Sequence, residues 1–180
     1  MINLSMYRGQ KLWWWIATWF GAGKSPIVSG TVGSLAALPF AYVIQITMGS
    51  WALFMAAVAL FFIGCWASEK FVRHYGKEDP GEIVVDEVAA QWLLLSVLFP
   101  TWQSYLVGFI LFRIFDIVKP WPVYLADRKV KGGFGVMLDD ILAAFYPILL
   151  YAVLIIESVL FDSQHLLQPV ISFLIGSYVP

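Results

Sequence analysis

Five carboxylates stand in or beside apolar stretches of this sequence, where a charged group is costly unless something compensates for it. They are Asp86 and Glu87 in VVDEVAAQW, Asp116 in FRIFDIVKPWP, and Asp139 and Asp140 in GGFGVMLDDILAA. A set of carboxylate oxygens without His or Cys suits a hard divalent cation, Mg²⁺ first, with Mn²⁺ as a substitute. We therefore predict that all five are catalytic-site residues and metal ligands.

A simpler interpretation covers part of this set. Acidic residues in the first turn of a helix complement its dipole, which would account for the pairs at 86–87 and 139–140 without chemistry. It fails for Asp116, which ends its apolar segment, although Arg113 and Lys119, three residues to either side, would neutralise the charge. Because the simpler interpretation must hold at three places together, a metal site explains the pattern better.

The composition indicates that these residues belong to an integral membrane protein. Of the 180 residues, 61% are hydrophobic and 13% are charged, and the mean hydropathy is +0.79. Soluble domains are about half apolar and about a quarter charged. The net charge of -1 gives no bulk attraction for nucleic acid, so no nucleic-acid partner is expected. The length suits a single domain.

The apolar segments predict an all-α fold, a polytopic membrane helix bundle with about five transmembrane helices. A spanning helix needs about 20 apolar residues, and the candidates are Thr31–Met48, Trp51–Ala67, Ile83–Phe99, Gln103–Val118 and Val136–Leu160. The tryptophan-rich stretch Leu12–Phe20 is too short to span, and we predict a helix lying in the membrane interface there. Within one membrane domain (1–180) we distinguish the interfacial helix and Gly/Ser loop (1–30), the bundle (31–160) and a variable tail (161–180).

The eleven Lys and Arg residues orient this bundle. They precede the first span or lie in and next to the connections after the second and fourth spans, and the other connections contain none. By the positive-inside rule, those connections and the N-terminus face the cytoplasm. The five carboxylates then meet at one depth, on the cytoplasmic side of the membrane.

Six residues are candidates for binding a substrate phosphate. The loop GAGKSPIVSGTVGS can direct backbone N–H groups at an anion, although an ordinary turn capped by Thr31 or Ser34 explains it equally well. Arg113 is the most persuasive cation because it lies inside an apolar helix, whereas anionic lipid accounts for Lys129 and Lys131. The six candidates are Lys24, Ser25, Thr31, Arg113, Lys119 and Arg128.

Together, the stretches SPIVSGTVGSLAALPF, VVDEVAAQW, FRIFDIVKPWP and GGFGVMLDDILAA resemble the phosphatidylglycerophosphatase A family of bacterial membrane phosphatases. The resemblance implies Mg²⁺-dependent hydrolysis of the phosphate monoester of phosphatidylglycerophosphate, giving phosphatidylglycerol and inorganic phosphate in phospholipid biosynthesis. It also implies a multi-pass protein of the bacterial cytoplasmic (inner) membrane. The site residues to which it points are the five carboxylates, Arg113, Lys119 and the loop Ser25–Ser34. Ser29 departs from the family's usual proline, and Lys24 from a frequent apolar residue.

The expected reaction is metal-assisted hydrolysis of a lipid phosphate. The cation binds a phosphate oxygen and activates a water molecule, one carboxylate accepts the proton, and Arg113 and Lys119 stabilise the phosphoryl charge. Glu87 is our choice for the base. The assignment of the remaining carboxylates, the number of metal ions and the oligomeric state stay open.

Two other hypotheses belong to different classes of protein. A non-enzymatic cation transporter or channel would also use intramembrane carboxylates, but it needs polar residues across the whole bilayer. The outer segments LLLSVLF and FYPILLYAVLII offer almost none. A CDP-alcohol phosphotransferase would carry a DGxxAR…GxxxDxxxD pattern, which this sequence lacks.

Overall fold

The computed structural model describes residues 11–77, 80–160 and 172–174. Within these ranges the chain is helical, without a strand, as the sequence predicts. A short 3₁₀ turn, Ala22–Lys24, follows the first helix. The α-helices are α1 (Leu12–Ala17), α2 (Ser29–Met48), α3 (Ser50–Tyr75), α4 (Val85–Leu95), α5 (Trp102–Val118), α6 (Val123–Lys129) and α7 (Gly132–Leu160). Of the predicted tail, 161–180, only residues 172–174 are among those described.

Three of these helices are long and apolar enough to cross a membrane: Ser29–Met48, Ser50–Tyr75 and Gly132–Ile156. The prediction of about five spanning helices is therefore not confirmed. The other two candidates, Ile83–Phe99 and Gln103–Val118, correspond to α4, with 11 residues, and α5, with 17 residues. At 1.5 Å per residue these are about 16 and 26 Å long, against a hydrocarbon core of about 30 Å.

Helix α4 has the apolar sequence of a spanning segment because it is the centre of the protein. Almost all of its side chains are buried, and α2, α3 and α7 pack around it. Its carboxyl end is closed by Gln45 of α2, whose Nε2 donates to the carbonyls of Leu95 at 3.2 Å and Leu98 at 2.8 Å. Tyr105 Oη donates in turn to Gln45 Oε1 at 2.7 Å. The two bonds from Gln45 satisfy carbonyls at and just beyond the end of α4, which apolar surroundings cannot satisfy.

A helix is present where the sequence predicts an interfacial one, but it ends at Ala17 rather than Phe20. Two of its tryptophans point into the protein: Trp14 is 1% exposed, and the ring of Trp13 lies 5.8 Å from that of Phe71. This packing also explains why α3 runs on to Tyr75, beyond the predicted span Trp51–Ala67 and into the connection that follows it. The buried side chain of Phe71 belongs to a helical face that α1 covers.

The amino end of α7 is held against α3 by a close approach of the two backbones. Glu69 Oε2 accepts a hydrogen bond from the Gly133 N–H at 2.7 Å, which satisfies one of the free donors of the helix start. Gly132 has φ +75°, a conformation that glycine adopts readily. This contact fixes the register of α7, and therefore the position of the carboxylates one to two turns further along it.

We expect Gly133→Ala to destabilise the protein by about 1–3 kcal/mol, the usual range for overpacking. A Cβ at this position would overlap the Cys65 carbonyl and the Glu69 backbone nitrogen, and backbone atoms cannot rotate away. Thermal unfolding in detergent measures the effect. Gly81→Ala is the control, because the nearest atom to a Cβ there is Ser29 Oγ at 3.9 Å. Equal melting temperatures for both variants would contradict the close approach.

Candidate active site

The start of α4 is anchored on two sides, and this anchoring positions the first carboxylate pair. The Val84 N–H donates to the Ala17 carbonyl at 2.9 Å, and Ser29 Oγ donates to the Gly81 carbonyl at 2.5 Å. Asp86 and Glu87 follow in the first turn of α4. The Glu87 N–H donates to Asp86 Oδ1 at 3.0 Å, so the Asp86 side chain also satisfies a backbone donor at the helix start.

Three carboxylates from two helices converge at this point. Asp86, Glu87 and Asp140 each offer an oxygen atom, and these atoms all lie within 4.8 Å of one another. Asp86 and Asp140 are buried, at 9% and 4% exposure, and Glu87 is nearly so. Glu87 Oε2 and Asp140 Oδ2 are buried without a hydrogen-bond partner among the described residues. We refer to these three residues as the carboxylate triad.

The triad has the donor set of a hard divalent cation. Three buried carboxylates so close together repel one another strongly unless a proton or a cation intervenes, and unpartnered buried oxygens are costly. Oxygen ligands without nitrogen or sulfur fit Mg²⁺ or Mn²⁺. Asp86, Glu87 and Asp140 therefore fit the predicted metal ion.

The other two predicted carboxylates lie next to the triad, each paired with a cation. Arg113 Nη1 lies 2.7 Å from Asp116 Oδ2 and 3.9 Å from Glu87 Oε1. The same nitrogen lies 3.3 Å from Ser34 Oγ. Arg113 thus connects the triad to α2 and α5, and it neutralises Asp116 at a helix end where the dipole disfavours an anion.

Lys119 is the cation that pairs with Asp139, and it also pairs with Asp127. Its Nζ lies 2.8 Å from Asp139 Oδ2 and 2.5 Å from Asp127 Oδ1. Burial lowers the pKa of Lys119, but the hydrogen bonds to Asp127 and Asp139 outweigh it, so the pKa lies above its ordinary value. Lys119 therefore carries its positive charge at neutral pH.

Asp127 is the site residue that the sequence did not predict. It belongs to α6, a short helix inside the predicted connection between the fourth and fifth spans. The sequence offered one signal for it: Asp127 is the single acidic residue between Lys119 and Gly135. No motif surrounds it, so only the folded position of α6 brings it to Lys119.

A cavity of about 190 Å³ joins these groups. All five predicted carboxylates line it, together with Ser29, Lys119, Asp127 and Lys131. The other predicted phosphate-binding residues do not line it. Lys24 pairs with Glu82 at 3.5 Å, Ser25 Oγ donates to the Ile27 carbonyl, Arg128 lies over the Tyr124 ring, and Thr31 and Arg113 line a different groove. Their role in phosphate binding stays a prediction.

Comparison with known proteins assigns the chain to a family. The family described as Phosphatidylglycerophosphatase A matches residues 15–155. Phosphatidylglycerophosphatase A of Escherichia coli is 46% identical over 134 residues, covering 73% of this chain and 76% of that protein. Its namesake in Haemophilus influenzae is 36% identical over 136 residues, covering 74% and 83%. No solved structure matches.

A third relative carries a different name. A putative phosphatidylinositol-3-phosphatase of Bacteroides thetaiotaomicron is 40% identical over 148 residues, covering 77% of this chain and 90% of that protein. All three names describe phosphatases that act on phospholipids. The match spans most of the chain and includes every carboxylate of the cavity. The chain is therefore a phosphatase and belongs to the phosphatidylglycerophosphatase A family.

Proposed function

We propose that this protein hydrolyses the phosphate monoester of phosphatidylglycerophosphate to phosphatidylglycerol and inorganic phosphate, using Mg²⁺. The observation that carries the proposal is the carboxylate triad, with its two unpartnered oxygens, in a cavity that Lys119 and Lys131 also line. Acidic ligands beside lysines suit a phosphate ester, because the cations balance its charge. Two relatives bear the name of this activity.

Asp86, Glu87 and Asp140 would hold the cation. When bound, Mg²⁺ supplies positive charge to the phosphate and makes a water molecule easier to deprotonate. We assign Glu87 as proton acceptor through Oε2, the oxygen that faces no protein donor. Lys119 would stabilise the phosphoryl charge, while Asp127 and Asp139 hold its ammonium group in place.

We place α4 and α5 within the membrane as a hairpin beside the three spanning helices, with the cavity facing the cytoplasm. All eleven Lys and Arg residues belong to the predicted cytoplasmic end, and two of them line the cavity. The membrane would be the bacterial inner membrane. A lipid could then present its phosphate to the cavity while its acyl chains stay in the bilayer.

The test is phosphate release by the purified protein in detergent. We expect release from phosphatidylglycerophosphate with Mg²⁺, its loss when EDTA removes the metal, and its recovery when excess Mg²⁺ is added. Phosphatidic acid and phosphatidylinositol 3-phosphate serve as comparison lipids, the latter because of the name of the Bacteroides relative. Full activity in EDTA would contradict the metal site. Release from no lipid by folded protein would favour the cation-transport hypothesis.

A further inference from the structure

The side of the protein between α2 and α5 carries a groove separate from the carboxylate cavity. We name it the α2–α5 groove; Thr31, Phe109, Ile110, Arg113, Ile114, Ile117 and Val118 line its volume of about 360 Å³. Ile110, Ile114 and Ile117 are 46%, 48% and 68% exposed and share one face of α5. In a membrane, lipid would contact this face of α5. The groove is apolar along the three isoleucines and polar where Thr31 and Arg113 lie.

Arg113 connects the groove to two residues that line the cavity. Its side chain lines the groove, while its guanidinium contacts Glu87 and Asp116, which line the cavity. Its Nε is buried without a hydrogen-bond partner among the described residues. Arginine inside a membrane is costly and normally has a function. Here a cationic group with a spare donor marks the point where the lipid-facing groove meets the candidate active site.

Packing also favours this side for the approach of a lipid. Helix α5 packs closely against α7 and only sparsely against α2, which leaves the groove open. A second apolar groove lies between α5 and α7, but no charged residue lines it within the described chain. The lining residue of α5 that is nearest to Asp116 in the chain, Leu111, lies about 7.5 Å from it along the helix. That groove therefore lacks a polar connection to the cavity.

We propose that the α2–α5 groove seats an acyl chain of the phospholipid substrate, so that the lipid enters sideways from the bilayer with its phosphate passing Arg113. This inference rests on the proposed function and adds where the lipid binds. The groove matches the chemistry of such a lipid at both ends. The anionic head group would lie beside Arg113, and the apolar chain would lie along Ile110, Ile114 and Ile117. The groove then makes the enzyme selective for substrates with long chains.

The test compares long-chain and short-chain substrate in variants that fill the groove. Ile114→Trp and Ile117→Trp are assayed with dipalmitoyl and dihexanoyl phosphatidylglycerophosphate, the latter being too short to occupy the groove fully. Ile63→Trp is the matched control, because Ile63 is 46% exposed on α3 and lines neither of the two grooves. Val107→Trp tests the groove between α5 and α7.

We expect both groove variants to lower kcat/KM for the long-chain lipid about tenfold, as misfit in an apolar pocket typically does. The short-chain substrate should be hydrolysed at nearly the wild-type rate, and Ile63→Trp should change neither value. Equal losses for both chain lengths, or no loss, would overturn the inference. So would a chain-selective loss in Val107→Trp alone. If the wild type releases phosphate from neither substrate, the proposed function fails, and the inference fails with it.

Discussion

Asp140→Asn is expected to abolish phosphate release while leaving the protein folded in detergent. Asn keeps the shape of the side chain but removes the charge of the triad member that comes from α7. Loss of a direct metal ligand should cost more than the roughly 10–100-fold lost when a group behind a ligand is removed. Without metal, the variant should be at least as stable as the wild type, because one of three mutually repelling carboxylates is gone.

Metal binding gives this prediction a second measurement, independent of turnover. A ligand at about 100 times its Kd stabilises a folded protein by about 2.7 kcal/mol, so Mg²⁺ or Mn²⁺ should raise the melting temperature of the wild type. Asp140→Asn should lose that rise. Asp127→Asn is the control, because Asp127 lines the cavity but pairs with Lys119 outside the triad. Normal turnover and a normal metal-induced shift in Asp140→Asn would exclude the triad as the metal site.

Gly30→Ala should lower activity about a hundredfold, although Gly30 performs no chemistry, because small displacements of catalytic groups can have effects of this size. A Cβ there would overlap Glu87 Oε1 and lie 3.2 Å from both terminal nitrogens of Arg113. Glu87 must then turn away from its position in the triad, and Arg113 must shift with it. Gly30 is the second residue of α2, and inside a helix alanine is otherwise more favourable than glycine by about 1 kcal/mol.

The same Gly81→Ala variant serves as the control for Gly30→Ala. Both changes add one methyl group next to the cavity, but a Cβ at Gly81 would make only an ordinary contact, with Ser29 Oγ at 3.9 Å. Steady-state kinetics and thermal unfolding are measured for both. A Gly30→Ala enzyme that is more stable than the wild type and equally active would mean that α2 does not press against Glu87.

Several features of the fold could be predicted because they depend on local composition. The starts of α2, α3 and α5 lie within two residues of the predicted starts, since turn residues and apolar runs define them. The length of α4 could not be predicted in this way. An apolar run has the same sequence pattern whether lipid or protein surrounds it. Only the packing of α2, α3 and α7 shows that protein encloses α4.

The sequence by itself singled out five carboxylates that line one cavity, because a charge in an apolar segment is costly without a compensating group, and it indicated the family through four motifs. The tertiary structure decided how they divide: Asp86, Glu87 and Asp140 form the triad, while Asp116 and Asp139 pair with Arg113 and Lys119. It also brought Asp127 to the site and placed Arg113 between the groove and two carboxylates that line the cavity. These assignments depend on distances between helices that are far apart in the chain, and no local pattern encodes such distances.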